Sequence, residues 1–138
     1  MIEKYFNIGK KLFPINRSIT GKGTLKSLNL ISSNFKNFRI KNFNCGKKVF
    51  DWKIPSEWNV ADAYILDKNN KKIVDFKKNN LHLVGYSKKT FLTLNKKNLL
   101  KKLHSLKKYP NAIPYITSYY KKYWGFCVTE KFKKSIIK

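Results

Sequence analysis

The sequence predicts an α+β fold: two N-terminal helices, a β-rich middle, then a further helix and a short strand–helix segment. Three observations predict it. Apolar residues recur at helical spacing over residues 2–13 and again from Leu25 to Ile31. The apolar period drops to two from residue 36. Helical spacing then returns around Leu99 and at the C-terminal end.

Ile2, Tyr5, Phe6, Gly9, Leu12 and Phe13 share one face of the first helix, which Pro14 ends by withholding a backbone donor. A polar loop, Pro14 to Gly21, leads to a second helix carrying Leu25, Leu28 and Ile31, with Thr20 or Gly21 near its start. Phe38 and Ile40, then Phe50, Trp52 and Ile54, alternate with polar neighbours as strand residues do, and Trp52 and Trp58 are expected to form a core for the middle region. Val60 to Leu66 and Lys72 to Phe76 flank Asp67-Lys68-Asn69-Asn70, whose residues tolerate left-handed backbone, so this reads as a hairpin. Leu81 to Tyr86 and Phe91 to Leu94 are expected to extend its sheet. Leu99, Leu100, Leu103 and Leu106 predict a third helix over residues 95–106, capped by Asn95. Tyr115 to Tyr120 and Trp124 to Thr129 read as strands, and Lys131 to Lys138 as a helix.

With 42% hydrophobic residues the chain is expected to fold. No apolar run approaches the ~20 residues of a membrane-spanning helix, so no membrane association is expected. The N-terminal residues lack the pattern of a secretory leader, which places the chain in the cytoplasm, with Cys45 and Cys127 as reduced thiols.

The net charge of +24 superficially resembles that of a nucleic-acid binder. However, 29 of the 31 basic residues are Lys, and Lys, Asn, Ile, Phe and Tyr together make up 75 of the 138 residues. These are the amino acids of codons beginning with two A or T bases. The charge therefore reads as compositional drift, and nucleic acid is not the expected partner. Five of the seven acids fall between residues 51 and 75, where Asp51, Glu57, Asp62, Asp67 and Asp75 are expected to serve as ion pairs and turn caps.

His82, His104, Cys45 and Cys127 are too dispersed for a self-contained zinc site. His104 is expected on the surface of a Lys-rich helix, and His82 as a satisfied strand residue. Gly21-Lys22-Gly23-Thr24 fails as a phosphate loop because Asn16 stands where its first glycine belongs. Arg17 is singled out because an Arg in a lysine-rich chain suggests a fork-shaped contact, either to a ligand carboxylate or, structurally, to a salt-bridge partner or to backbone carbonyls that organise the loop. Tyr119, Tyr120, Tyr123 and Trp124 are aromatics with polar tips, able to floor a pocket or to pack as core.

Longer phrases also stand out: Leu12-Phe13-Pro14-Ile15-Asn16-Arg17-Ser18-Ile19-Thr20-Gly21, Val49-Phe50-Asp51-Trp52, Glu57-Trp58-Asn59-Val60, Asn79-Asn80-Leu81-His82, Val84-Gly85-Tyr86-Ser87, Thr117-Ser118-Tyr119-Tyr120 and Trp124-Gly125-Phe126-Cys127. In this order they resemble the N-terminal part of the bacterial aminopeptidase-like proteins, a zinc exopeptidase-like family often encoded among polysaccharide-biosynthesis genes. The resemblance implies that residues 1–34 are the opening helices of the peptidase-like domain, 35–108 an inserted β-rich domain, and 109–138 a return segment. It also implies an N-terminal fragment, inactive alone, whose partner is a C-terminal catalytic remainder. The resemblance further implies zinc for the full-length family, and no cofactor is expected in this chain. Asn16, Arg17, Tyr119, Tyr120 and Trp124 are the candidate substrate-binding residues, for a peptide or glycan-related substrate. The competing expectation is a small basic α+β module binding RNA or an anionic glycan through its lysines.

Overall fold

A computed structural model describes residues 2–119 and 121–137 and shows an α+β chain. It divides into two compact units, Met1–Val60 and Ala61–Lys138.

The first unit opens with α1 (Ile2–Leu12), which Pro14 terminates as expected. No residue of α1 is buried, and Ile2 and Phe13 are 86% and 84% exposed. The second helix, α2 (Lys22–Ser32), buries Ser27, whose hydroxyl donates to the Gly23 carbonyl at 2.9 Å. Gly23 is required by close approach, since a Cβ there would lie 1.8 Å from the Asn16 carbonyl oxygen. Two short strands, β1 (Lys48–Val49) and β2 (Trp52–Lys53), pair antiparallel with Lys48 opposite Lys53 and Val49 opposite Trp52. Ile54 and Pro55 behind them are buried.

The expected strand at Phe38 and Ile40 is irregular backbone. Its alternation has no buried face to serve, because Phe38 is exposed and meets the Phe35 ring locally, at 6.5 Å between centroids. Trp52 is likewise exposed rather than a core residue, and Trp58 is half-buried.

The second unit begins with the predicted hairpin, β3 (Tyr64–Leu66) and β4 (Lys72–Asp75). Asp67 Oδ1 accepts the amides of Asn69 and Lys71, both at 2.9 Å, and Asn70 takes the left-handed φ of 59° that the turn demands. Val74 on β4 joins Leu103, Phe126 and Val128 in the core, with Ile65, Leu83, Leu100, Trp124, Phe132 and Ile136 packed around them.

Beyond Asp75 the structure departs from the sequence expectation. Residues 81–86 and 91–94 do not extend the hairpin sheet, because Asn79 accepts the Leu81 amide at 3.0 Å and winds Asn80–His82 into a 3₁₀ turn. Leu83 and Gly85 instead make single bridges to Phe126 and Thr117, while residues 91–94 are irregular. The third helix, α3 (Lys96–Leu100), has the predicted Asn95 cap, with the Asn98 amide at 2.9 Å, but ends early. Leu103 leaves the helical stripe for β5 (Leu103–His104), parallel to β6 (Phe126–Cys127), where it is buried. Burial in the core outweighs continued helix for this residue. The strand expected over Tyr115–Tyr120 reduces, among the described residues, to the Thr117 bridge, and that over Trp124–Thr129 to β6. The last helix, α4 (Glu130–Ile137), forms as expected. Among the described residues no helix is long and apolar enough to cross a membrane.

Candidate functional site

In the first unit, the loop from Pro14 to Gly21 is tied to residues 56–59. Ser18 Oγ donates to the Thr20 carbonyl and, at 3.3 Å, to that of Trp58, while Thr20 Oγ1 reaches the Ser56 carbonyl at 3.4 Å. Thr24 Oγ1 donates to the Ser18 carbonyl at 2.5 Å. Gly21 stands at the cap position of α2 with φ 132° and no side chain to offer, and Asn59 Oδ1 accepts the Lys22 amide at 2.7 Å in its place. Two phrases distant in sequence thus form one hydrogen-bonded knot.

Asn16 and Arg17 belong to this knot as structural members. The Asn16 carbonyl sits against the Cα of Gly23. Arg17 is exposed and donates Nη1 to the Leu12 carbonyl at 2.6 Å, a second bond to an acceptor at the end of α1 that also takes the Ile15 amide at 3.1 Å. Of the two roles open to its guanidinium, the structure shows the bond to a backbone carbonyl. An open groove of about 580 Å³ runs between α1 and α2, lined by Lys4, Asn7, Ile8 and Lys11 on one side and Leu30 and Asn34 on the other.

The aromatic candidates lie in the second unit. The Tyr119 ring stacks at a tilt on Tyr86, 5.3 Å between centroids, and both residues have positive φ, 41° and 62°. Positive φ is costly for bulky side chains and tends to persist where surrounding structure enforces it. Trp124 packs against the core, and Lys102 Nζ lies over both Trp124 and Tyr123, 5.3 and 4.4 Å from their ring centroids. Tyr120 lies outside the described residues. Sequence reasoning missed Tyr86 as the partner of Tyr119; its only signal was a place in the Val84-Gly85-Tyr86-Ser87 phrase.

The titratable groups are engaged structurally. His82 Nδ1 donates to the Cys127 carbonyl at 2.8 Å, a satisfied histidine on a 3₁₀ turn rather than on a strand. His104 is not on a helix surface: it is half-buried on β5 and shares a 2.8 Å hydrogen bond with the Tyr123 hydroxyl. Burial, reinforced by the Lys133 and Lys102 charges, lowers its pKa below the ordinary 6.5. Burial pushes the Cys127 thiol up to about 11, despite a bond to the Ile116 backbone that acts the other way. Asp62 pairs with Lys77 at 3.2 Å and Lys72 at 3.6 Å. Desolvation raises its pKa, but the Lys77 hydrogen bond and the two ammonium charges outweigh this and lower it from 3.8. With Asp67 in its turn and Asp75 beside Lys72 at 3.8 Å, these acids serve as the predicted pairs and caps. Glu130 is buried at the start of α4 and accepts from Ser105 Oγ at 2.6 Å.

Zinc, implied for the longer family members, requires three or more converging ligands. Among the described residues no three His, Cys, Asp or Glu side chains meet, and both histidines are already committed to other partners. The described residues of this chain do not fit a zinc site.

Comparison with known proteins agrees with the motif reading. Residues 57–138 match the family described as "Domain of unknown function (DUF2172)". A Clostridium acetobutylicum protein named "Putative polysaccharide biosynthesis protein with aminopeptidase-like domain" is 42% identical over 125 residues, which cover 91% of this chain and 29% of the relative. A crystal structure titled as a putative peptidase from the same organism superposes with a TM-score of 0.92 at 40% identity, over 96% of this chain and 31% of that one. The chain therefore spans about three-tenths of the length of the proteins it matches.

Proposed function

Because the chain belongs to the DUF2172 family, we propose that it is the N-terminal, substrate-facing part of an aminopeptidase-like protein linked to polysaccharide biosynthesis, and that it has no catalytic activity alone. The observation that carries this is the relation of identity to coverage: 42% identity spread over nine-tenths of this chain, against 29% of a relative whose name contains an aminopeptidase-like domain. In this reading a cytoplasmic remainder supplies zinc and the catalytic carboxylate. The present chain shapes the entrance for a peptide or glycan-related substrate, and the candidate contacts are taken unit by unit: Asn16 and Arg17 in the first, Tyr119 and Trp124 in the second. The exposure of α1 supports the reading: Ile2, Tyr5 and Phe6 lie exposed, Ile8 and Leu12 are only half-buried, and an amphipathic helix with no buried residue lacks most of its packing surface.

The test is a chimera in which this chain replaces the matching segment of the full-length Clostridium relative. One cooperative melting transition is expected, with amide exchange in α1 at least about tenfold slower than in the isolated chain. Two independent transitions, with α1 exchange unchanged, would overturn the proposal.

A further inference from the structure

Phe50 is ill suited to its backbone. It is the first of the two residues that join β1 to β2, and it has a φ of 55°. Positive φ at the first central position alone is the pattern of a type II′ turn, which ordinarily takes glycine because a Cβ there crowds the neighbouring carbonyl. A phenylalanine in this place strains the chain, and its ring is 93% exposed, so burial does not offset the strain. Below the tip Trp52 is 43% exposed, and Lys47, Lys48 and Lys53 are exposed on the same hairpin.

We propose that Phe50 is a docking anchor whose ring seats in an apolar pocket rimmed by carboxylates, on the polypeptide that makes up the remainder of the longer relatives. This rests on the function proposed above. Two observations select the occupant. The matching proteins extend far beyond the part that this chain covers. Lys47, Lys48 and Lys53 outnumber the single acid Asp51 on the hairpin and make it net positive, complementary to an acidic rim, while the ring itself requires an apolar pocket. The strained turn projects the ring beyond its own hairpin, an arrangement that serves docking and costs the isolated chain stability.

The experiment uses the same chimera and the isolated chain, each carrying Cys45→Ser and Asp51→Cys, which places a thiol beside an intact Phe50. Maleimide labelling of that peptide is read by mass spectrometry, and buried Cys127 does not interfere. Labelling at least about tenfold slower in the chimera is expected, and adding Phe50→Gly should restore the fast rate. Phe50→Gly alone should raise the melting midpoint of the isolated chain by a few degrees and lower that of the chimera. Equal labelling in a chimera that melts as one body would overturn the anchor and leave the proposed function standing. A chimera that melts as two independent bodies would overturn both.

Discussion

Asn59 Oδ1 accepts the backbone N–H of Lys22 at 2.7 Å, so the side chain that caps α2 comes from a residue 37 positions away. The cap position itself is Gly21, which has none to give. Helix-capping side chains are worth about 1 kcal/mol. Asn59→Ala is expected to destabilise the chain by roughly that amount. Asn59→Asp keeps the acceptor and adds a charge that the helix N-terminus favours, but it loses the Nδ2 bond to Glu57 Oε2 at 3.3 Å and sets two carboxylates together, so it should recover only part of the loss. Thermal melts of both variants check this, and equal loss in the two would show that the acceptor oxygen is not what matters.

How much of the fold was legible depended on how local its cause is. The hairpin at residues 64–75 was readable because Asp67 and Asn70 carry their turn chemistry in their own side chains. The stop at Pro14 and the Asn95 cap are local in the same sense. Leu103 misled because its helical spacing is real, but its burial is decided by Phe126, more than twenty residues later. The Asn59 cap and the Tyr86–Tyr119 pair were illegible for the same reason: neither residue carries any mark of its distant partner. Arg17 stands out in a lysine-rich sequence, but only the structure shows which acceptor its guanidinium takes.

His104 should make stability depend on pH. Its folded pKa lies below the ordinary 6.5 because burial and two lysines disfavour the imidazolium. Between the folded value and 6.5 the unfolded chain binds the extra proton, so stability is fully present above 6.5 and lost as pH falls through that window. The melting midpoint should drop as mildly alkaline buffer is replaced by mildly acidic buffer. His104→Gln, which can still bond Tyr123, should flatten that slope. An unchanged slope would assign it to other groups.

The two thiols should separate cleanly. Cys45 is exposed, whereas Cys127 is fully buried and its pKa is pushed up to about 11. Because the thiolate is the reactive form, a disulfide reagent at about pH 8 should titrate one thiol per folded chain and two after denaturation. Two fast equivalents in the native chain would contradict the burial of β6.

Amide exchange should divide the chain, because the two ends of the sequence differ in what their apolar residues reach. Val74, Leu103, Phe126 and Val128 bury one another, and the backbone around them is pinned by β4, β5 and β6. Ile2, Tyr5, Phe6 and Phe13 stay exposed, and α1 contributes no buried residue. Each large apolar side chain left in water forgoes about 1.5–3 kcal/mol of burial, and a lone helix of α1's length is marginal by its own propensity. Amides of α1 in the isolated chain should therefore exchange close to the unprotected rate, while those of Val74 and Val128 should require an opening that approaches global unfolding. Adding the remainder of the longer relative should slow α1 selectively and leave the Val74 and Val128 amides nearly unchanged. Strong, equal protection from α1 through α4 in the isolated chain would show that α1 needs no further partner, and would remove the main structural support for the proposed function.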